Sequence, residues 1–106
     1  MKVLQLDDMT KGWFVGDFTP TAYKTGAAEV AVKHYKAGDK EGWHYHKIAT
    51  ELTLIIAGEV RMNGVVYTAG TIVVMEPGDG TDFEAITDAS NVVVKVPCVP
   101  GDKYTA

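Results

Sequence analysis

The sequence predicts an all-β domain of barrel or sandwich type. Helical periodicity is nearly absent, the apolar runs are short and rich in β-branched residues, and turn residues separate them at close spacing. In chain order the strand-like segments are Val3–Leu6, Ala28–Tyr35, Gly42–His46, Glu51–Ile56, Glu59–Met62, Val65–Tyr67, Thr71–Met75, Asp82–Ile86 and Val92–Val96. Asn63-Gly64 lies between two of them and reads as a two-residue type I′ hairpin, which needs positive φ at both central positions. Gly58, Gly70 and Pro77-Gly78-Asp79-Gly80 mark further turns. Pro20–Ala28 has room for one helical turn, but its Thr, Pro and Gly content reads as loop. Strands this short and this numerous favour closure into a barrel, which removes exposed edges.

At 106 residues the chain, 1–106, is expected to be a single domain with one core. Its hydrophobic fraction of 46% and charged fraction of 23% are those of a globular protein. The net charge of −4 and the scattered lysines leave no basic stripe for nucleic acid. The most apolar stretch, Leu52 to Ala57, is far shorter than a membrane-spanning helix needs, so no membrane partner is expected either. Met1 to Asp8 turns acidic without an apolar signal region, and Cys98 has no partner for an internal disulfide. Both point to a cytoplasmic setting.

Chemistry concentrates between Gly38 and Glu51. Alternation along a strand places His44 and His46 on one face with Tyr45 on the other. A turn over Lys47 to Thr50 then returns Glu51 as the first residue of the next strand. Two imidazoles and a carboxylate form the donor set of a divalent transition metal with coordination positions left open. His34 shares a strand face with Val30 and Val32, so it is either a further inward group or a hydrogen-bonded edge histidine. Trp13, Trp43, Phe14 and Phe18 are candidates for pocket walls or for packing. Lys33, Lys47 and Lys95 are candidates for recognising an anion, against the plainer reading of a solvated face. Asp102-Lys103-Tyr104 reads as a surface tail unless it pairs with a partner.

Gly38, His44, His46, Glu51 and Gly58 carry a resemblance to the cupin family. Its first motif runs Gly, five residues, His-x-His, three or four residues, Glu, six residues, Gly, and the sequence matches it at every position. The resemblance extends from about Ala28 to Val96 and implies a double-stranded β-helix (jelly-roll) cupin barrel, often a homodimer. It also implies a divalent ion such as Fe, Mn, Ni or Zn on His44, His46 and Glu51. The second motif departs from the family. Counted from Gly70, its histidine position falls on Thr81 and its asparagine position on Ala85; counted from Pro77, the histidine position falls on Asp82. No histidine follows His46, so the fourth ligand is left open among Asp82, Glu84, His34 and water.

Three functions follow from the resemblance. The first is a metal-dependent enzyme for a small polar or anionic metabolite, with His44, His46 and Asp82 as the reacting groups. The second is a metal-free isomerase or epimerase of carbohydrates or nucleotide sugars, in which a histidine moves protons. The third is a ligand-binding barrel without turnover. Val3–Leu6, outside the matched region, is the segment expected to pair across the homodimer.

Overall fold

The computed structural model describes residues 1–105 as two antiparallel sheets facing each other. The strands are β1 (Trp13–Val15), β2 (Glu29–Tyr35), β3 (Lys40–Tyr45), β4 (Thr50–Ala57), β5 (Glu59–Met62), β6 (Val65–Thr68), β7 (Ile72–Met75), β8 (Gly80–Ala85) and β9 (Ala89–Val96). One sheet has the order β1-β2-β9-β4-β7 and the other β3-β8-β5-β6. From β2 onward the chain passes repeatedly from one sheet to the other, which is the winding of a jelly roll. Among the described residues no helix is long and apolar enough to cross a membrane.

Eight of the nine strands fall where the alternation and turn residues place them, with ends displaced by a few residues. The exception is Val3–Leu6, which forms no strand. Leu6–Asp8 is instead a single 3-10 turn, and Leu4, Leu6 and Met9 surround a shallow groove with Phe14 and Val32. The edge of the large sheet is taken by β1, a strand the sequence reading lacks, which pairs Trp13 with Ala31 and Val15 with Val30 across a bulge. With three residues it is too short to show alternation. The hairpin at Asn63-Gly64 forms as expected: φ is 48° and 78° at the two positions, and Met62 pairs with Val65.

One end of the barrel is an apolar core of Ile55, Val60, Met62, Met75, Phe83, Ala85 and Ala89, against which Tyr35, Tyr67 and Val73 pack. Ile55 and Val60 are fully buried, a gain of about 1.5–3 kcal/mol for each side chain. Towards the other end the inward positions turn polar. They run Ile55, Thr53, Glu51 along β4 and Ala89, Asn91, Val93, Lys95 along β9. On β2 the inward positions are Tyr35, Lys33, Ala31 and Glu29, so Val30, Val32 and His34 lie on the outer face. The large sheet therefore keeps apolar residues outside, with Leu54, Ile56, Ile72 and Val74 exposed to solvent.

Candidate functional site in the barrel cavity

The polar end encloses a cavity of about 500 Å³, within the range of small-metabolite sites. His44 from the small sheet and Glu51 from the large sheet both line it. His46 stands behind that wall, one residue beyond the end of β3 and 5% exposed. Its ring lies 5.5 Å from the His44 ring, edge to face, and its Nε2 lies 3.6 Å from Glu51 Oε1.

Asp102 sets this arrangement. Its carboxylate accepts the backbone N–H of Lys47, Ile48 and Ala49 at 2.9, 3.1 and 2.9 Å, which closes the turn between β3 and β4. Its carbonyl oxygen bonds His46 Nδ1. Burial pushes the Asp102 carboxyl up, but the three backbone donors outweigh it and hold the group below its ordinary pKa. Tyr104 then exchanges backbone hydrogen bonds with Tyr45, at 2.9 and 3.0 Å, and Lys47 reaches over the Tyr104 ring. Asp102-Lys103-Tyr104 is therefore no free tail but a strap, and Val99 to Lys103 form part of the cavity wall.

With Nδ1 donating to Asp102, His46 presents Nε2 to Glu51. The Glu51 carboxylate raises the His46 pKa; burial opposes this, the Asp102 carbonyl adds to it, and Lys95 opposes it. His46 Nε2 is buried and, among the described residues, lacks a hydrogen-bond partner within normal distance; it approaches Glu51 Oε1 at 3.6 Å. His44 Nδ1 likewise faces a backbone carbonyl, that of Gly42, at 3.1 Å.

Other expected residues lie elsewhere. Asp82 is on the outer face of β8, exposed, and its carboxylate accepts the Asn63 N–H at 2.8 Å, so it braces the hairpin and does not reach the cluster. Alternation explains this: Thr81, Phe83 and Ala85 turn inward, leaving Asp82 and Glu84 outside. Glu84 pairs with Arg61 at 2.8 Å and Lys40 at 3.6 Å, while His34 bonds Ser90 Oγ at 2.8 Å on the outer face. The count from Gly70 is the one the fold follows. Thr81 is buried opposite His44, but its hydroxyl already donates to the Asp82 carbonyl at 2.7 Å.

These placements decide the fit of a metal ion. The donor types and the Nδ1-anchored rings suit one, since a ligating imidazole commonly donates its other nitrogen to a carbonyl. The convergence does not. Among the described residues no group of three or more His, Cys, Asp or Glu is arranged to hold an ion. His46 and Glu51 form a close pair, the His44 ring stands 5.5 Å from that of His46, and a threonine stands at the fourth position.

Of the aromatic candidates only Trp13 enters the cavity; Trp43 packs over Gly80, Phe18 over Gly16, and Phe14 faces the outer groove. Lys33 and Lys95 do line the cavity, whereas Lys47 does not. The sequence reading missed Glu29, Tyr35, Glu41, Asn91 and Asp102. Tyr35 donates to Glu41 at 3.1 Å, and burial together with that carboxylate raises its pKa. The period-2 pattern Glu29, Lys33, Tyr35 was the signal for the β2 members, hidden because charged faces ordinarily point outward.

The chain superposes on a Klebsiella pneumoniae protein described as an uncharacterized conserved protein with a double-stranded β-helix domain. The TM-score is 0.72 and the identity 21%, over 99% of this chain and 91% of that one. A sugar phosphate isomerase from a cupin superfamily of Silicibacter pomeroyi matches at TM-score 0.67 and 21% identity. That match covers 76% of this chain and 57% of the other. The DMSP lyase DddQ of Ruegeria pomeroyi matches at TM-score 0.72 and 17% identity, over 89% and 49%. No protein-family model and no curated protein matches the sequence. At these identities the likeness is one of fold: the chain has the double-stranded β-helix fold.

Proposed function

We propose that the barrel binds a small polar metabolite and moves a proton on it between Glu51 and His44. The supporting observation is that these two groups face one cavity from opposite sheets while His46 backs Glu51 from behind the wall. In this reading Glu51 takes a proton from a carbon beside a carbonyl, and His44 returns one to the resulting enolate. Positioned acid–base pairs of this kind contribute roughly 10²–10⁴-fold in rate. His46 is a positioning residue: held at Nδ1 and protonated at Nε2, its ring keeps Glu51 turned to the ligand through their charges. Fold neighbours that carry the names of a sugar phosphate isomerase and a DMSP lyase support this reading.

The unpartnered His46 Nε2 favours a second reading, a divalent ion on His46 and Glu51 with His44 drawn in. One experiment separates the two. Protein purified without an affinity tag is incubated in D₂O with aldoses, ketoses and 2-hydroxy acids, and deuterium incorporation is read by NMR. Incorporation that survives chelation and falls at least 100-fold in Glu51→Gln and in His44→Gln supports proton transfer. Incorporation lost on chelation and restored by Fe, Mn, Ni or Zn establishes the metal reading. Binding with no incorporation across the panel leaves a ligand-binding barrel.

We place homodimerisation, and with it a soluble assembly, on the outer face of β4 and β7. There Leu54, Ile56, Ile72 and Val74 stand exposed by 36–61%, and an isologous pairing buries the same apolar face on both copies.

A further inference from the structure

We infer that the cavity carries a carboxylate subsite formed by Lys33, Lys95, Asn91 and Trp13, which selects a hydroxy acid as ligand. The inference rests on the proposed use of this cavity and names its substrate class. Lys33 and Asn91 lie directly opposite each other on β2 and β9, both turned inward. Lys95 lies opposite Glu29 on one side and Glu51 on the other, so the same strand links the subsite to the reacting pair. The ammonium groups of Lys33 and Lys95 each stand 5.0 Å from the Trp13 ring centroid, held over one indole.

Four lysines and four carboxylates line the cavity, but they are not all paired. Lys95 is paired with Glu29 at 3.9 Å, and Glu41 accepts the Tyr35 hydroxyl at 3.1 Å. No carboxylate among the described residues lies within ion-pair distance of Lys33. Burial lowers the Lys33 pKa; Glu41 opposes that, while Lys11, Lys95 and Lys103 add to it. A half-buried cation without an ion-pair partner, facing a cavity, is stabilised by an anion there. Asn91 supplies the second requirement. It is 1% exposed and its Oδ1 has no hydrogen-bond partner among the described residues, a cost a ligand donor removes. An anionic group beside a hydroxyl meets both needs.

The test is an NMR titration that follows the Asn91 side-chain amide and the Trp13 indole, with the Trp43 indole, outside the cavity, as internal control. Gluconate is compared with glucitol, which replaces the carboxylate by CH₂OH, with hexanoate, which lacks the hydroxyls, and with inorganic phosphate. Gluconate is expected to shift Asn91 and Trp13 but not Trp43, and to bind at least tenfold tighter than glucitol or hexanoate. Lys33→Gln should weaken it at least tenfold and Lys33→Arg no more than about threefold, at matched melting temperatures. Equal affinity for gluconate and glucitol, or no effect of Lys33→Gln, overturns the subsite. Equal affinity for hexanoate overturns the hydroxyl selected by Asn91, and tighter phosphate binding overturns the carboxylate. Gluconate binding without any deuterium incorporation counts against proton transfer alone, whereas incorporation into a neutral sugar with no gluconate binding counts against the subsite alone.

Discussion

Replacing Asp102 by alanine should cost more stability than any surface change, and the structure fixes the size of the loss. Three backbone donors converge on one carboxylate, and a hydrogen bond to a charged group is worth about 1.5–3 kcal/mol net. The donors are not equivalent. Lys47 and Ile48 are exposed, so water replaces the carboxylate at their N–H groups, whereas Ala49 is 2% exposed and its N–H stays orphaned. One full loss and two partial ones give about 3 kcal/mol, or a melting temperature lower by about 10–20 °C for a domain of this size. Asp102→Asn keeps shape and one acceptor oxygen and should lose about half as much. The pH dependence has a definite sign. The folded carboxyl is held below its ordinary pKa, so its contribution is complete above the unfolded value and disappears as pH falls through the folded one. The gap between the native protein and Asp102→Ala should therefore close in acid. Differential scanning calorimetry between pH 3 and 7 measures it. A change under 2 °C at pH 7, or a gap that persists undiminished in acid, would refute the reasoning.

Two further outcomes rest on other parts of the fold. Gly58→Val should be the more damaging of two turn substitutions. Both glycines have positive φ, 83° and 78°, but a Cβ at Gly58 would lie 2.1 Å from the Asp88 carbonyl oxygen, while Gly64 faces open space. Gly64→Val should cost about 1–3 kcal/mol from backbone strain alone, and Gly58→Val clearly more; equal costs in urea titrations would show that close approach plays no part. Ile72→Glu on the exposed face of β7 should shift light-scattering mass from dimer to monomer at micromolar concentration, and a native protein already monomeric there removes the dimer.

Much of the barrel was legible because its signals are local. Asn63-Gly64 specifies a turn by its own φ requirements, and β4 declares itself by a run of Thr, Leu and Ile that stops short of Gly58. The spacing that placed His44, His46 and Glu51 near one another is local too. It crosses a single turn, and that turn forms. What escaped the sequence is long-range. Asp102 is 56 positions from His46, and nothing in its neighbourhood marks it as the acceptor that closes the turn at Lys47–Ala49. β1 owes its existence to pairing with β2, not to any pattern within Trp13–Val15.

Of the two readings of His34, the structure takes the hydrogen-bonded edge histidine, and the inward one fails for a general reason. Placing Val30, Val32 and His34 in the interior assumes that the apolar face of a strand is the buried one. In this barrel the large sheet reverses that rule over much of its length, because its inner face must build a polar cavity while its outer face keeps Leu54, Ile56, Ile72 and Val74. A sheet that places Glu29, Lys33, Glu51 and Lys95 inside gives up apolar burial worth about 25 cal/mol per Å² and desolvates charged groups besides. Apolar residues packed around Ile55 and Val60 at the other end offset that cost, which is why the core is confined there. Asp82 follows from the same geometry. Once Phe83 is required inside to pack with Tyr35, rings 4.5 Å apart, strand alternation forces Asp82 out and Thr81 in. The residue opposite His44 is thus chosen by the core, and the chemistry of the cavity is left to His44, Glu51 and the lysines that face them.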